Sequence, residues 1–276
     1  MTSVTSNSNG LVRRTAARIE LAVRLILRPS RGGVRWPAWQ SVALAAGGVV
    51  VVLLIIMATL DERAIIAARN LPPAVIAIFR EITDLGKGAV FLYPLPAVLL
   101  ALCFVPADLP RPVQTTLAAI FARVAFVFLA IGVPYWVNAV LKQMIGRARP
   151  FVGGSANAWL YQPFTWGPAY ASMPSNHAVT ACAAAAALGA IFPRARTALW
   201  IYAAIILISR VVVIAHHPSD VLAGAVFGVC GALIVRNYFA SRRIVFGVTP
   251  QGDVEPSPGP SWRRIKAAGR ALLADR

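Results

Sequence analysis

Between residues 40 and 240 the apolar positions of this chain neither alternate nor keep to one helical face; they run together in long unbroken stretches. Alternation marks half-buried strands and a one-sided stripe marks surface helices, whereas a segment apolar all round belongs inside lipid or a large core. The hydrocarbon layer of a bilayer needs roughly 20 such residues per helix. Six stretches approach that length: 40–60, 89–106, 115–140, 174–192, 198–216 and 219–240. The fourth has the shortest uncharged part, between His177 and Arg194, but its small residues (Ala181, Ala183 to Ala187, Gly189) suit close helix packing. The expected fold is all-α: a polytopic membrane protein with six transmembrane helices in a bundle.

The segments between and beyond these stretches are patterned differently. Residues 61–88 read as a short helix, a break at Leu71-Pro72-Pro73, and a second helix with Val75, Ile76, Phe79 and Ile82 at helical spacing, together an interfacial amphipathic segment. Residues 11–28 carry Val12, Ile19, Val23 and Ile26 on one face and arginines mostly on the other, the same kind of pattern. The proline-rich stretch 250–260 reads as a flexible linker, and 261–276 as either a basic surface helix or a disordered tail. Stretch 40–60 follows a long basic segment without a small-residue cleavage site, so it is expected to be a retained span. The organisation expected is a basic segment 1–39, a six-span domain 40–240 and a basic tail 241–276.

Charge gives this layout a direction. Only 13% of the 276 residues are charged and 58% are hydrophobic, against about a quarter charged in a soluble domain, which excludes a water-soluble fold. With 27 Lys and Arg against 10 Asp and Glu, the net charge is +17. The surroundings must be anionic, and the apolar runs select lipid headgroups over nucleic acid. Given six spans, 19 basic residues fall in segments on one side: 1–39, the loops around Arg111 and Arg194, and the tail from Arg236. The positive-inside rule makes that side cytoplasmic, with both termini there and the basic tails against anionic headgroups of the inner membrane.

The remaining cations are not scattered. Arg63, Arg69, Arg80 and Lys87 share the first outer loop with Asp61, Glu62, Glu81 and Asp84, which cancel them. Lys142, Arg147, Arg149 and Arg210 cluster beside the outer ends of the third and fifth spans, with only Asp220 near. Charges in such places are costly without a partner or a purpose. Cys103, Cys182 and Cys230 each sit in an apolar run, with neither a CxxC nor a Cys/His cluster, and read as buried apolar residues.

Three short stretches hold the unpaired polar groups. Lys142 and Arg149 lie seven apart, close to two helical turns, so that both point one way, either as a phosphate clamp or as a snorkelling pair at a helix end. Ser172-Met173-Pro174-Ser175-Asn176-His177 opens an Ala-rich helix, whose N-terminus offers free N–H groups to an anion. Ser175 and His177 there are either phosphate ligand and proton donor or simply a cap and an interfacial ring. Ser209-Arg210 precedes His216, His217 and Asp220; a carboxylate four residues on holds one imidazole nitrogen as N–H and leaves the other as a nucleophile. His217 reads as an interfacial amphipathic ring.

Taken together, Lys142-x6-Arg149-Pro150, Pro174-Ser175-Asn176-His177 and Ser209-Arg210-x5-His216-x3-Asp220 resemble the three-part signature of the type 2 phosphatidic acid phosphatase superfamily. The motifs cover residues 142–220, and the six-span layout extends the resemblance to about 40–240. The resemblance implies that His216 is the nucleophile, Asp220 its orienting carboxylate and His177 the general acid and base. It implies that Lys142, Arg149, Arg210, Ser175 and the backbone N–H of Asn176 hold the phosphoryl oxygens, with no metal and no cofactor. Asn176 departs from the family's usual Gly; it either keeps the backbone turn, less freely than Gly, or adds a side-chain donor to the phosphate.

The implied activity is a membrane lipid phosphatase working at the non-cytoplasmic face through a phosphohistidine. Undecaprenyl pyrophosphate leads among substrates, ahead of phosphatidic acid, phosphatidylglycerol phosphate and the lipid A 1-phosphate. A lipid phosphotransferase and a non-enzymatic anionic-lipid binding or transport protein are the alternatives.

Overall fold

A computed structural model describes residues 20, 23, 24, 26–105 and 109–274. Its helices are α1 (Trp39–Thr59), α2 (Asp61–Arg69), α3 (Pro73–Asp84), α4 (Ala89–Leu92), α5 (Pro94–Cys103), α6 (Arg111–Ile145), α7 (Asn176–Ile191), α8 (Arg196–Val212), α9 (Pro218–Ser241) and α10 (Trp262–Ala274). A two-stranded antiparallel hairpin, β1 (Phe246–Val248) with β2 (Val254–Pro256), follows α9. The amphipathic reading of 11–28 falls mostly outside the described residues.

Five stretches are long and apolar enough to cross a membrane: Trp39–Thr59, Pro73–Cys103, Arg111–Ile145, Pro193–Val212 and Pro218–Ser241. The chain is an integral membrane protein and mostly helical. The six expected spans become five by length, because α7 has only 16 residues. Its composition carried the hydropathy signal, but ten of its sixteen residues are buried, among them Ala181, Cys182, Ala183 and Ala184. The second stretch also begins earlier than expected: α3, read from sequence as interfacial, joins α4 and α5 in one apolar run. Pro73 at the first position of α3 and Pro94 at that of α5 suit helix starts, where a missing N–H costs nothing.

The described chain divides into two compact units. One takes in the described residues of Met1–Arg35, Tyr93–Phe128 and Val235–Arg276. There Phe126 meets Phe239 and Phe246 edge-on, and Ala268 of α10 packs on Leu109 and Val113. The stretch 250–260 is thus no free linker: β2 is paired to β1, whose Phe246 is buried, and Gly252 makes the turn at φ +90°. Residues 262–274 are helical.

The other unit comprises Trp36–Leu92 and Leu129–Ile234 and contains every motif residue. α7 packs along α8, with α2 and α3 against α8 as well, around a core of Ala181, Cys182, Ala185, Ala203 and Ile206. α9 approaches α7 through glycines: a Cβ on Gly224 would lie 2.5 Å from the Ser175 carbonyl oxygen, and one on Gly228 would strike that of Val179. Cys103 and Cys182 are buried as expected, whereas Cys230 lies on an exposed face of α9.

Candidate active site

The first motif is a helix end and the strand-like segment beyond it. α6 stops at Ile145, and Gly146 turns the chain at φ +64°, where any Cβ would strike Gln162. Residues 147–149 then run extended: Ala148 N–H donates to the Leu160 carbonyl at 2.9 Å and Arg149 N–H to that of Ala169 at 2.8 Å. Lys142 and Arg149 are therefore not two turns apart on one helix; a turn brings them together instead. Arg149 spends Nε on Pro168 O (2.9 Å) and Nη1 on Ala215 O (3.1 Å), both backbone acceptors, and burial lowers its pKa.

Arg147 behaves quite differently from its neighbours. Its guanidinium is fully buried and donates to Ala158 O (3.0 Å), Ser219 Oγ (2.7 Å), Asp220 Oδ1 (2.6 Å) and Asp61 Oδ2 (2.7 Å). Burial opposes its charge, but the two carboxylates outweigh that and raise its pKa. All of its donor groups are engaged within the protein, so it braces the site.

The second motif begins at Ser172, whose N–H donates to Arg147 O at 3.0 Å. Ser175 is the N-cap residue of α7, yet its hydroxyl caps no backbone group and is buried without a partner among the described residues. Its own N–H donates to Asp220 O at 3.0 Å, which ties the second motif to the third. Asn176 is the first helical residue and adopts no left-handed conformation. The fully buried Asn138 of α6 donates to Pro174 O (3.1 Å) and to Asn176 Oδ1. His177 Nε2 is buried and unpartnered among the described residues.

The third motif spans the end of α8 and the start of α9. Arg210, in the last turn of α8, donates to Thr83 Oγ1 at 2.5 Å, and Ser209 Oγ, whose proton goes to the Ile206 carbonyl at 2.6 Å, lies 2.9 Å from the same hydroxyl oxygen. Ala215 and His216 N–H groups both donate back to Arg210 O, which folds the 213–217 turn under the arginine. His216 is buried, its Nδ1 3.8 Å from Asp220 Oδ2, too far for the direct hydrogen bond that the sequence spacing suggests. Ser172 Oγ fills that gap, donating to Asp220 Oδ2 at 2.6 Å and lying 3.4 Å from His216 Nδ1. Burial lowers the His216 pKa to about 4, with Asp220 opposing and Arg149 and Arg210 reinforcing the shift, so the ring is neutral at pH 7. His217 is fully buried, with its backbone N–H donating to Asp220 Oδ2 at 2.9 Å, and is therefore no interfacial ring.

These groups converge. Lys142, Arg149 and Arg210 are mutual electrostatic neighbours, and His177 feels Arg210, His216 and Arg149. Among the described residues no group of three or more His, Cys, Asp or Glu side chains is placed to hold a metal ion. Three cations, an unused serine hydroxyl and a neutral imidazole brought together have the charge and donors that suit a tetrahedral anion.

Residues 123–244 match the model of the PAP2 superfamily. The matched stretch takes in all three motifs, from Lys142 to Asp220. Two lipid A 1-phosphatases are similar to it in sequence: that of Rhizobium johnstonii, 36% identical over 128 residues (46% of this chain, 52% of the relative), and that of Rhizobium etli, 35% identical over 128 residues (46% and 55%). The chain spans about half the length of these curated relatives. Among solved structures, a transmembrane PAP2-type phosphatidylglycerolphosphate phosphatase from Bacillus subtilis covers 69% of this chain and 94% of its own at 21% identity and a TM-score of 0.49. Aquifex aeolicus LpxE covers 63% and 92% at 23% identity and 0.45.

The three motifs thus supply the converging groups, but much of what holds them was not legible as chemistry. Asp61 and Thr83 lie outside the matched stretch, in the segment read as a charge-cancelled outer loop. Asp61 also accepts from Ser219 N–H (2.9 Å) and Oγ (2.5 Å), so it holds the loop that carries Asp220. The available signal was its place directly after an apolar stretch, where an acid is costly unless paired. Thr83, Asn138 and Ser172 carried no such signal, since isolated hydroxyls and amides are unremarkable in sequence.

Proposed function

We propose that this chain is a metal-independent membrane lipid phosphatase acting through a phosphohistidine. The observation that carries the reading is the neutral, buried His216, whose Nδ1 faces Ser172 and Asp220 while three cations stand around it. With Nδ1 as N–H, the Nε2 lone pair attacks phosphorus, and the bond from phosphorus to the lipid oxygen breaks. Protonated His177, with the bound dianion as countercharge, gives its proton to the departing oxygen. A water then attacks the phosphohistidine, His177 takes that water's proton, the N–P bond breaks and inorganic phosphate leaves. Lys142, Arg149, Arg210, Ser175 Oγ and the Asn176 N–H hold the phosphoryl oxygens and stabilise the charge spread over them in the transition state.

The favoured substrate class is the 1-phosphate of a lipid A type glycolipid, ahead of undecaprenyl pyrophosphate, because the curated relatives at 36% and 35% identity are lipid A 1-phosphatases. The basic-residue distribution supports cytoplasmic termini and an outward-facing site, in a six-crossing arrangement with α7 as the short, buried sixth. The same distribution supports anionic headgroups as partners of the basic tails.

Phosphate release by purified protein in EDTA, from lipid A, undecaprenyl pyrophosphate, phosphatidic acid and phosphatidylglycerol phosphate, tests the reaction, its metal independence and its substrate. Wild type is expected to release phosphate, fastest from lipid A, and His216→Ala none. Release from soluble esters alone, or full activity in His216→Ala, would reject the reading.

A further inference from the structure

Asn176 stands where the family resemblance leads one to expect glycine, and its hydrogen bonds hold its side chain in one orientation. The Pro174 carbonyl can only accept, so the Asn138 atom 3.1 Å from it must be Nδ2, the amide's donor. The same Nδ2 touches the Asn176 amide, so the atom it meets there must be the acceptor, Oδ1. Both N–H groups of Asn138 are then engaged, and the Asn176 Nδ2, with its two N–H groups, is turned away from Asn138. That Nδ2 donates to no described residue, although Asn176 lies between Ser175, whose buried hydroxyl is unused, and His177. Asn138 is fully buried on α6, four residues before Lys142, so its position is set by the helix that carries one of the cations.

We propose that the Asn176 side-chain amide is an additional phosphoryl ligand and that Asn138 is the positioning residue that aims it. The inference rests on the phosphatase reading. A glycine at 176 offers an anion its backbone N–H alone; here an amide N–H is added, and an oriented donor on a charged acceptor carries more weight than one between neutral groups. Asn138→Asp is nearly isosteric but has no N–H. It can meet Asn176 only by accepting from Nδ2, which swings Oδ1, a repelling oxygen, toward the phosphate.

The experiment is a double-mutant cycle on the full chain in detergent, reading kcat/KM for the best lipid phosphate, the inhibition constant of vanadate and the thermal midpoint. Asn176→Gly is expected to lower kcat/KM and weaken vanadate by about tenfold, with a modest fall in the thermal midpoint because one buried Asn138 N–H loses its acceptor. Asn138→Asp is expected to lose at least as much, and the double variant little more than Asn138→Asp alone. If Asn176→Gly matches wild type in both kinetics and vanadate affinity, or if the two losses multiply, the inference fails while the phosphatase reading stands. If Asn138→Asp does not fold, Asn176→Gly alone decides. A wild type that releases phosphate from no lipid overturns the phosphatase reading and this inference with it.

Discussion

Arg147 and Asp220 form an ion pair at 2.6 Å with both side chains fully shielded from solvent. The same guanidinium reaches Asp61 at 2.7 Å, so one cation is shared between two buried carboxylates. Removing one partner of a buried pair typically costs about 3–5 kcal/mol, because the other charge is left stranded. Arg147→Ala is expected to lower the thermal midpoint in detergent sharply and to abolish activity. Asp61→Asn, which keeps one acceptor oxygen, should cost about 1–3 kcal/mol and leave residual turnover. An Arg147→Ala protein as stable as wild type would remove the bracing role.

His216 makes stability depend on pH in a defined window. Its ordinary value is 6.5 and its folded value about 4. Above pH 6.5 the ring is neutral in both states. Between 6.5 and about 4 the unfolded chain binds a proton that the folded chain refuses, so stability falls as pH falls and then levels off. The part of that loss due to His216 should vanish in His216→Gln, as measured by thermal melts across pH 4 to 8. For the same reason His216 remains a competent nucleophile down to about pH 4, so any acid limb in kcat/KM nearer neutrality must come from another group.

Ser172 links His216 to Asp220, which are themselves 3.8 Å apart. Ser172→Ala removes the hydroxyl without adding bulk. Turnover is expected to fall roughly 10- to 100-fold with KM little changed, because the tautomer of the nucleophile, and not the phosphate contacts, is disturbed. A loss confined to KM would contradict this role.

Thr83 accepts from Arg210 and is hydrogen-bonded to Ser209. Thr83→Val keeps the shape and removes the acceptor, so Arg210 loses its anchor. A rise in KM and in the vanadate inhibition constant of about tenfold is expected, with kcat less affected; unchanged vanadate affinity would count against it.

Gly224 lets α9 reach the start of α7. An added Cβ would lie 2.5 Å from Ser175 O and 2.9 Å from Ala178 Cβ, the first of these rigid backbone. Gly224→Ala should cost about 1–3 kcal/mol from overpacking and slow turnover by moving Ser175 and His177 away from Asp220. Melting curves and kcat together check it, and a fully active, fully stable Gly224→Ala would show that the two helices have slack.

Local pattern alone determined that the chain is helical and membrane-embedded, because a run that is apolar on every face has no other home. The converging groups Lys142, Arg149, Ser175, His177, Arg210, His216 and Asp220 were also legible, since charges beside apolar helices are conspicuous when unpaired. Tertiary structure decided what sequence spacing could not. Hydropathy cannot separate a lipid-facing helix from a buried one, so α7 counts as a sixth span in sequence, although its short uncharged part and small residues set it apart. Spacing cannot foresee that Gly146 breaks the helix between Lys142 and Arg149, or that Ser172 comes between His216 and Asp220. The partners Asp61, Thr83 and Asn138 lie far from the motifs they hold in the chain and meet them only through packing. A charge advertises itself in a sequence by its cost; the group that offsets that cost is named only when the chain has folded.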